Sequence, residues 1–149
     1  MKAKGPLPPT YFFIFLLIAF PLNFLLPVDR IFDFPLNLIG IPFIIFGAWI
    51  TVWADQIFKQ VKTTVKPHEK PSVIVTSGPF GLSRHPMYLG MTAILLGEAV
   101  LLGSLTAFVA PLGFFMCMQI FFIPVEERAM SDTFGEKYSD YKKKARMWF

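Results

Sequence analysis

The sequence predicts an all-α integral membrane helical bundle. It is expected to be one domain over residues 1–149, with about four transmembrane helices and short helices at the cytoplasmic surface. Three observations carry this. Hydrophobic residues make up 54% of the chain and charged residues only 16%, with mean hydropathy +0.55, whereas soluble domains carry about 25% charged residues. Apolar runs close to the roughly 20 residues that a bilayer crossing needs recur along the chain. The basic residues gather on one side of those runs, as membrane topology requires.

The first crossing is expected over residues 11–28, interrupted by Pro21 and Asn23. Lys2 and Lys4 precede it as in a signal peptide. Leu25-Leu26-Pro27-Val28-Asp29 offers no small-residue cleavage site, so the segment is expected to stay attached. The second crossing, 34–54, carries Trp49 and Trp53 near one end as an interfacial anchor. In the polar segment 55–86, Ile57, Phe58, Val61 and Val65 keep helical spacing, which continues the second helix along the membrane surface until Pro67 stops it. Ser72 to Thr76 reads as extended, and Ser77-Gly78-Pro79 as a turn. The third crossing, 87–102, is short, and Gly103-Ser104 allow a tight hairpin into the fourth, 105–125. Pro111 is expected to kink that helix, and Pro124 either to kink it again or to open a new one. The last segment, 126–149, reads as two short helices broken at Gly135.

Four crossings sort the 14 Lys and Arg into two sides, and only Arg30 falls on the far one. This split predicts both termini and both polar segments to be cytoplasmic, in a multi-pass protein of the plasma membrane. The net charge of +4 belongs to the flanks of hydrophobic runs, so a nucleic-acid partner is not expected. The expected partners are the bilayer and a lipophilic substrate. Cys117 is the only cysteine, which excludes an intramolecular disulfide and a cysteine-built metal site. His68 and His85, the two histidines, lack the spacing of a metal pair, so no metal is expected.

Two constellations could carry chemistry. The first is Arg84-His85-Pro86-Met87-Tyr88-Leu89-Gly90 at the mouth of the third crossing. Pro86 suits the first helical turn, which puts His85 near the N-cap beside free backbone N–H groups, a setting for a small anion. Gly90, Ala93 and Gly97 form a small-residue stripe that admits another helix or a ligand. The plainer alternative makes Arg84 a snorkelling anchor and the stripe simple helix contact. The second constellation is Glu126-Glu127 behind Pro124. Adjacent carboxylates there either pair with solvent-exposed lysines or face a cation: a ligand amine, a sulfonium, or Arg84 across the mouth. Glu98, an acid inside the third crossing, either reaches the outer surface or hydrogen-bonds within the bundle.

An ordered set of short motifs joins these regions: Thr63-Thr64-x-x-Pro67, Ser77-Gly78-Pro79-Phe80, Arg84-His85-Pro86-x-Tyr88-x-Gly90, Glu126-Glu127 and Phe134-Gly135-x-x-Tyr138-x-x-Tyr141. Over about residues 60 to 146 this set resembles the isoprenylcysteine carboxyl methyltransferase and phospholipid methyltransferase superfamily. The resemblance implies an S-adenosylmethionine-dependent methyltransferase acting on a lipophilic substrate, with its cofactor site at the cytoplasmic mouth. It implies His85, Pro86, Tyr88 and Gly90 as cofactor-binding residues, completed by Glu126 and Glu127. It assigns Arg84 to the substrate or the cofactor carboxylate, and more loosely sets Arg146 at a late basic position. A carboxylate acceptor would need no base and would be guided by Arg84, whereas an amine acceptor would need Glu126 or Glu127 as base. Two other functions fit parts of the pattern: a nicotinamide-dependent membrane reductase of the sterol reductase type, and a small transporter using Glu98 as its proton-coupled acid.

Overall fold

The computed structural model describes residues 6–26, 28–62 and 72–149. The expected motif Thr63-Thr64-x-x-Pro67, His68 and the flanking Lys2, Lys4, Lys66 and Lys70 lie outside the described residues.

Among those residues the chain is helical, with two isolated bridges, Arg30 with Ser104 and Ser83 with Arg146. The helices are α1 (Pro8–Leu25), α2 (Gly40–Gln60), α3 (Pro86–Leu102), α4 (Val109–Cys117), α5 (Ile123–Phe134) and α6 (Glu136–Lys144). A 3-10 turn, Leu36–Ile39, leads into α2, and another, Leu105–Phe108, leads into α4. Between α4 and α5 lies a single π-helical stretch, Met118–Phe122. Three segments are long and apolar enough to cross a membrane: Pro8–Leu25, Leu36–Gln60 and Leu105–Phe134. The expected third crossing, α3, is apolar but has 17 residues. Ten of those are buried against other helices, so α3 needs little lipid-facing length.

The prolines act as their local surroundings dictate. Pro8 and Pro86 sit in first turns, where a missing N–H leaves no hydrogen bond broken. Pro111 falls in the first turn of α4, entered from a 3-10 turn, so it costs no hydrogen bond within that helix. Pro124 opens α5 directly after the π stretch. Gly135, at φ 52°, separates α5 from α6. Gly103, at φ 78°, closes α3, and its backbone approaches Phe32 so nearly that a Cβ would lie 2.2 Å from the Phe32 oxygen.

Helices α2 and α3 are joined by glycine against glycine. A Cβ on Gly47 would meet the carbonyl of Gly90 at 2.4 Å, and one on Gly97 the carbonyl of Gly40 at 2.5 Å. The pairs are one heptad apart on each helix, which keeps the two backbones in contact over about 10 Å. The opposite side of α3 forms the apolar core, where Tyr88, Met91 and Leu95 meet Phe12 of α1 and Phe114, Met118, Phe122 and Ile123. Large apolar side chains on α1 and α2, such as Leu17, Phe24, Ile45 and Trp49, remain exposed, as lipid-facing surfaces require.

A buried ion cluster at the mouth of the bundle

His85 is the N-cap residue of α3, and no side chain caps the first-turn N–H groups. Its own N–H is held by the buried Ser83 hydroxyl at 3.2 Å. This fixes the ring at the mouth, with Arg84 on one side and Tyr88 one turn further into the helix. The His85 and Tyr88 rings lie stacked, 5.7 Å between centroids and 5° between planes.

Across the mouth, α5 presents both glutamates in its first turns. Arg84 reaches Glu127 Oε1 from Nε and from Nη2, each at 2.7 Å. His85 faces both acids, Nδ1 to Glu126 Oε2 at 3.2 Å and Nε2 to Glu127 Oε1 at 3.4 Å. Tyr88 donates its hydroxyl to the other oxygen of Glu126. Lys142 of α6 approaches Glu127 Oε2 at 3.3 Å and covers the Tyr138 ring. Three cations thus surround two carboxylates, with the Arg84 and His85 side chains less than a tenth exposed.

Burial alone would drive these groups toward their neutral forms. The pairing reverses that. Burial opposes ionisation of Glu127, yet hydrogen bonds from His85 and Arg84 and their charges hold its pKa down at about 2. Burial likewise opposes protonation of His85, but the hydrogen bonds and charges of Glu126 and Glu127 outweigh it and raise the pKa above the ordinary 6.5. Geometry leads to the same state: each ring nitrogen faces a carboxylate, and only the imidazolium can donate from both.

The residues singled out in the sequence therefore divide. Arg84, His85, Tyr88, Glu126 and Glu127 come together. Pro86 is buried and starts α3. Gly90 turns instead to α2, where a Cβ would strike Thr51 Oγ1 at 2.1 Å and the Gly47 carbonyl at 2.6 Å; the role visible for it is helix contact. Glu98 is buried in α3, and neither of its oxygens has a hydrogen-bond partner among the described residues.

Around Arg146 and the motif residues Phe80, Tyr138 and Tyr141, further residues of the cluster were not singled out. Residues 145–149 form a strap over the mouth. Arg84 donates its N–H to the Arg146 carbonyl at 2.9 Å and Nη1 to the Ala145 carbonyl at 2.8 Å. Ser83 Oγ donates to the Met147 carbonyl at 3.1 Å. Trp148 then ties the strap to the π stretch, donating to Gln119 Oε1 at 2.9 Å and lying 4.6 Å from the Phe115 ring. Tyr141 anchors α6 through a 2.6 Å bond to the Phe80 carbonyl. The spacing Tyr138–Lys142, one helical turn, is the one sequence signal that could have drawn in the lysine.

The sequence profile of the phospholipid methyltransferase family matches residues 36–137, more than half of the chain. A protein-S-isoprenylcysteine O-methyltransferase of Schizosaccharomyces pombe is 34% identical over 96 residues, which cover 62% of this chain and 39% of that protein. The chain thus spans well under half the length of that curated relative. No solved structure matches. With the matched region running from the start of the second membrane helix into the first turn of α6, and so including the whole ion cluster apart from Lys142, the chain belongs to the phospholipid methyltransferase family.

Proposed function

We propose that this protein is an S-adenosylmethionine-dependent methyltransferase of the membrane, acting on a lipophilic acceptor at the mouth of the bundle. The observation that supports it best is the cluster of His85, Tyr88, Glu126 and Glu127 at the uncapped N-terminus of α3, in a chain of this family. These groups suit the cofactor's polar end. First-turn N–H groups with His85 beside them suit its carboxylate, and the acidic pair suits its ammonium and sulfonium charges. When bound, S-adenosylmethionine would supply a methyl group on positively charged sulfur. The protein's part is to align the acceptor with that carbon and to exclude water, for which a buried mouth roofed by the strap is suited.

For the acceptor we favour a carboxylate. An amine must lose a proton before it attacks, and Glu127, with its pKa near 2, is a poor base. A carboxylate needs no proton removed and is attracted by three cations set against two acids. Arg84 is an unsuitable guide for it, because Nε, Nη1 and Nη2 are all engaged by Glu127 and Ala145. Arg146, exposed at the strap, is the guide we assign. We also assign the mouth and both ends to the cytoplasmic side of the plasma membrane; the one-sided distribution of Lys and Arg supports this.

Calorimetry of the purified protein with S-adenosylmethionine and S-adenosylhomocysteine tests the cofactor. Methyl transfer to a prenylated cysteine and to a phospholipid amine, run in parallel, tests the acceptor. Binding of a reduced nicotinamide dinucleotide with neither S-adenosyl ligand would overturn the proposal in favour of a reductase. Tags at residues 1 and 149 reporting opposite sides would overturn the assigned topology.

A further inference from the structure

We propose that the segment Lys142–Phe149 is a docking element for anionic lipid headgroups, seated where the site opens. It lies beyond the region that the family profile matches. The last turn of α6 carries Lys142, Lys143 and Lys144, and Arg146 follows two residues on. Lys142 is occupied by Glu127 and Lys143 by Asp140 at 2.8 Å. Lys144 and Arg146 are exposed and form no ion pair within 4 Å among the described residues, Lys144 acting on Asp140 only at longer range. Over 136–149 there are five basic residues (Lys137, Lys142, Lys143, Lys144, Arg146) and two acids (Glu136, Asp140).

Depth supplies the second observation. Trp148 rests on Phe115 and Gln119, both within the expected fourth crossing, 105–125. Gln119 precedes Glu126 by seven residues, about 10 Å along a helix axis. The strap thus runs from the polar mouth back down to the level where tryptophan prefers to sit in a bilayer. Phe149, next to it in the chain, is 80% exposed, and a bilayer would give its ring an apolar contact. Trp148 held against the helix, with an exposed Phe149 beside it in the chain and exposed cations nearby, matches a surface of anionic headgroups over an apolar layer. A soluble acidic partner would account for the cations but leave Phe149 without a contact. Because the same five residues hold Arg84 through the Ala145 and Arg146 carbonyls, headgroups that order the strap also steady the mouth.

The test uses the full chain in nanodiscs of phosphatidylcholine alone or mixed with phosphatidylglycerol. Amide hydrogen exchange is followed over residues 140–149. Exchange should slow in the anionic discs by about fivefold for each basic residue engaged, and the difference should vanish in Lys144→Gln/Arg146→Gln and at high salt. Equal exchange in both lipids would overturn the proposal. So would equal slowing by inorganic phosphate in phosphatidylcholine discs, which would indicate a small-anion site without a membrane requirement. S-Adenosylhomocysteine binding in the phosphatidylcholine discs tests the methyltransferase proposal separately, so each can fail alone.

Discussion

Arg84 grips a single oxygen of Glu127, with Nε and Nη2 each 2.7 Å from Oε1. The other oxygen is left to Lys142. Two residues 43 positions apart thereby close the ring of charge that joins the start of α3 to α5.

Removing one partner of this pair strands the other as a buried charge. Glu127→Gln and Arg84→Ala should each destabilise the protein by about 3–5 kcal/mol. The double variant should lose clearly less than the sum. Thermal unfolding in detergent checks this as a double-mutant cycle, and additive losses would show that the pair is not coupled.

Glu126 is held less tightly, by His85 and Tyr88, so its substitution separates binding from folding. Glu126→Gln should melt close to the wild type, because an amide oxygen still accepts from Tyr88. It should weaken S-adenosylmethionine binding about ten- to over a hundredfold through loss of a charged contact. His85→Ala should weaken S-adenosylmethionine and S-adenosylhomocysteine alike, since the two share the carboxylate and differ at sulfur. Wild-type affinity for both ligands in His85→Ala would remove His85 from the binding site.

The charge cluster also sets a pH window for stability. Glu127 falls from an ordinary 4.5 to about 2 on folding, so its contribution is complete above 4.5 and is lost as pH falls toward 2. The His85 pKa rises above its ordinary 6.5, so its contribution is complete below 6.5 and is lost as pH climbs through the raised value. Melting temperature should therefore be highest between about pH 4.5 and 6.5. His85→Gln should flatten the alkaline side and make the acid side shallower, because His85 also helps to hold the Glu127 pKa down, with Arg84 keeping part of that slope. A slope on the alkaline side that survives His85→Gln would assign it to another group.

The α2–α3 contact is expected to reject a single methyl group. Gly47→Ala places Cβ 2.4 Å from a backbone carbonyl, which cannot turn aside, so a loss of about 1–3 kcal/mol or more follows. Gly81→Ala, whose Cβ would meet only the Thr76 oxygen at 3.6 Å, should be close to neutral. Detergent melting curves for the two variants give the comparison directly.

Much of this arrangement was legible in the sequence because it is local. Apolar runs and their punctuation located the helices: Pro86 marks the start of α3, Gly103 its end and Gly135 the break after α5. The option that Arg84 answers Glu126-Glu127 was also visible, since unpaired acids need a cation. The strap was not. Ser83 meets Met147 across 64 positions, and contacts between backbone groups leave no pattern in residue type. Gly90 shows the opposite difficulty: a small residue in a motif can serve a ligand or a neighbouring helix, and the close approach of Gly47 and Thr51 to it is visible only in the structure. The π stretch was equally hidden, since Met118-Gln119-Ile120-Phe121-Phe122 looks like any apolar helical run.

That π stretch makes the site depend on residue number as well as residue type. A π turn holds about one residue more than the α turn it replaces, and each residue of an α-helix advances the chain by about 100°. Deleting any one of Met118–Phe122 would let the segment relax to regular α-helix. Because the π turn already takes up one extra residue, Glu126 and Glu127 would then keep their bearing toward Arg84 and His85, whereas one residue inserted into regular α-helix ahead of them would turn them away by about that angle. The stretch can therefore lose one residue and still present the acids to the mouth, while Met118 and Phe122 are held in type by the core and Gln119 by Trp148.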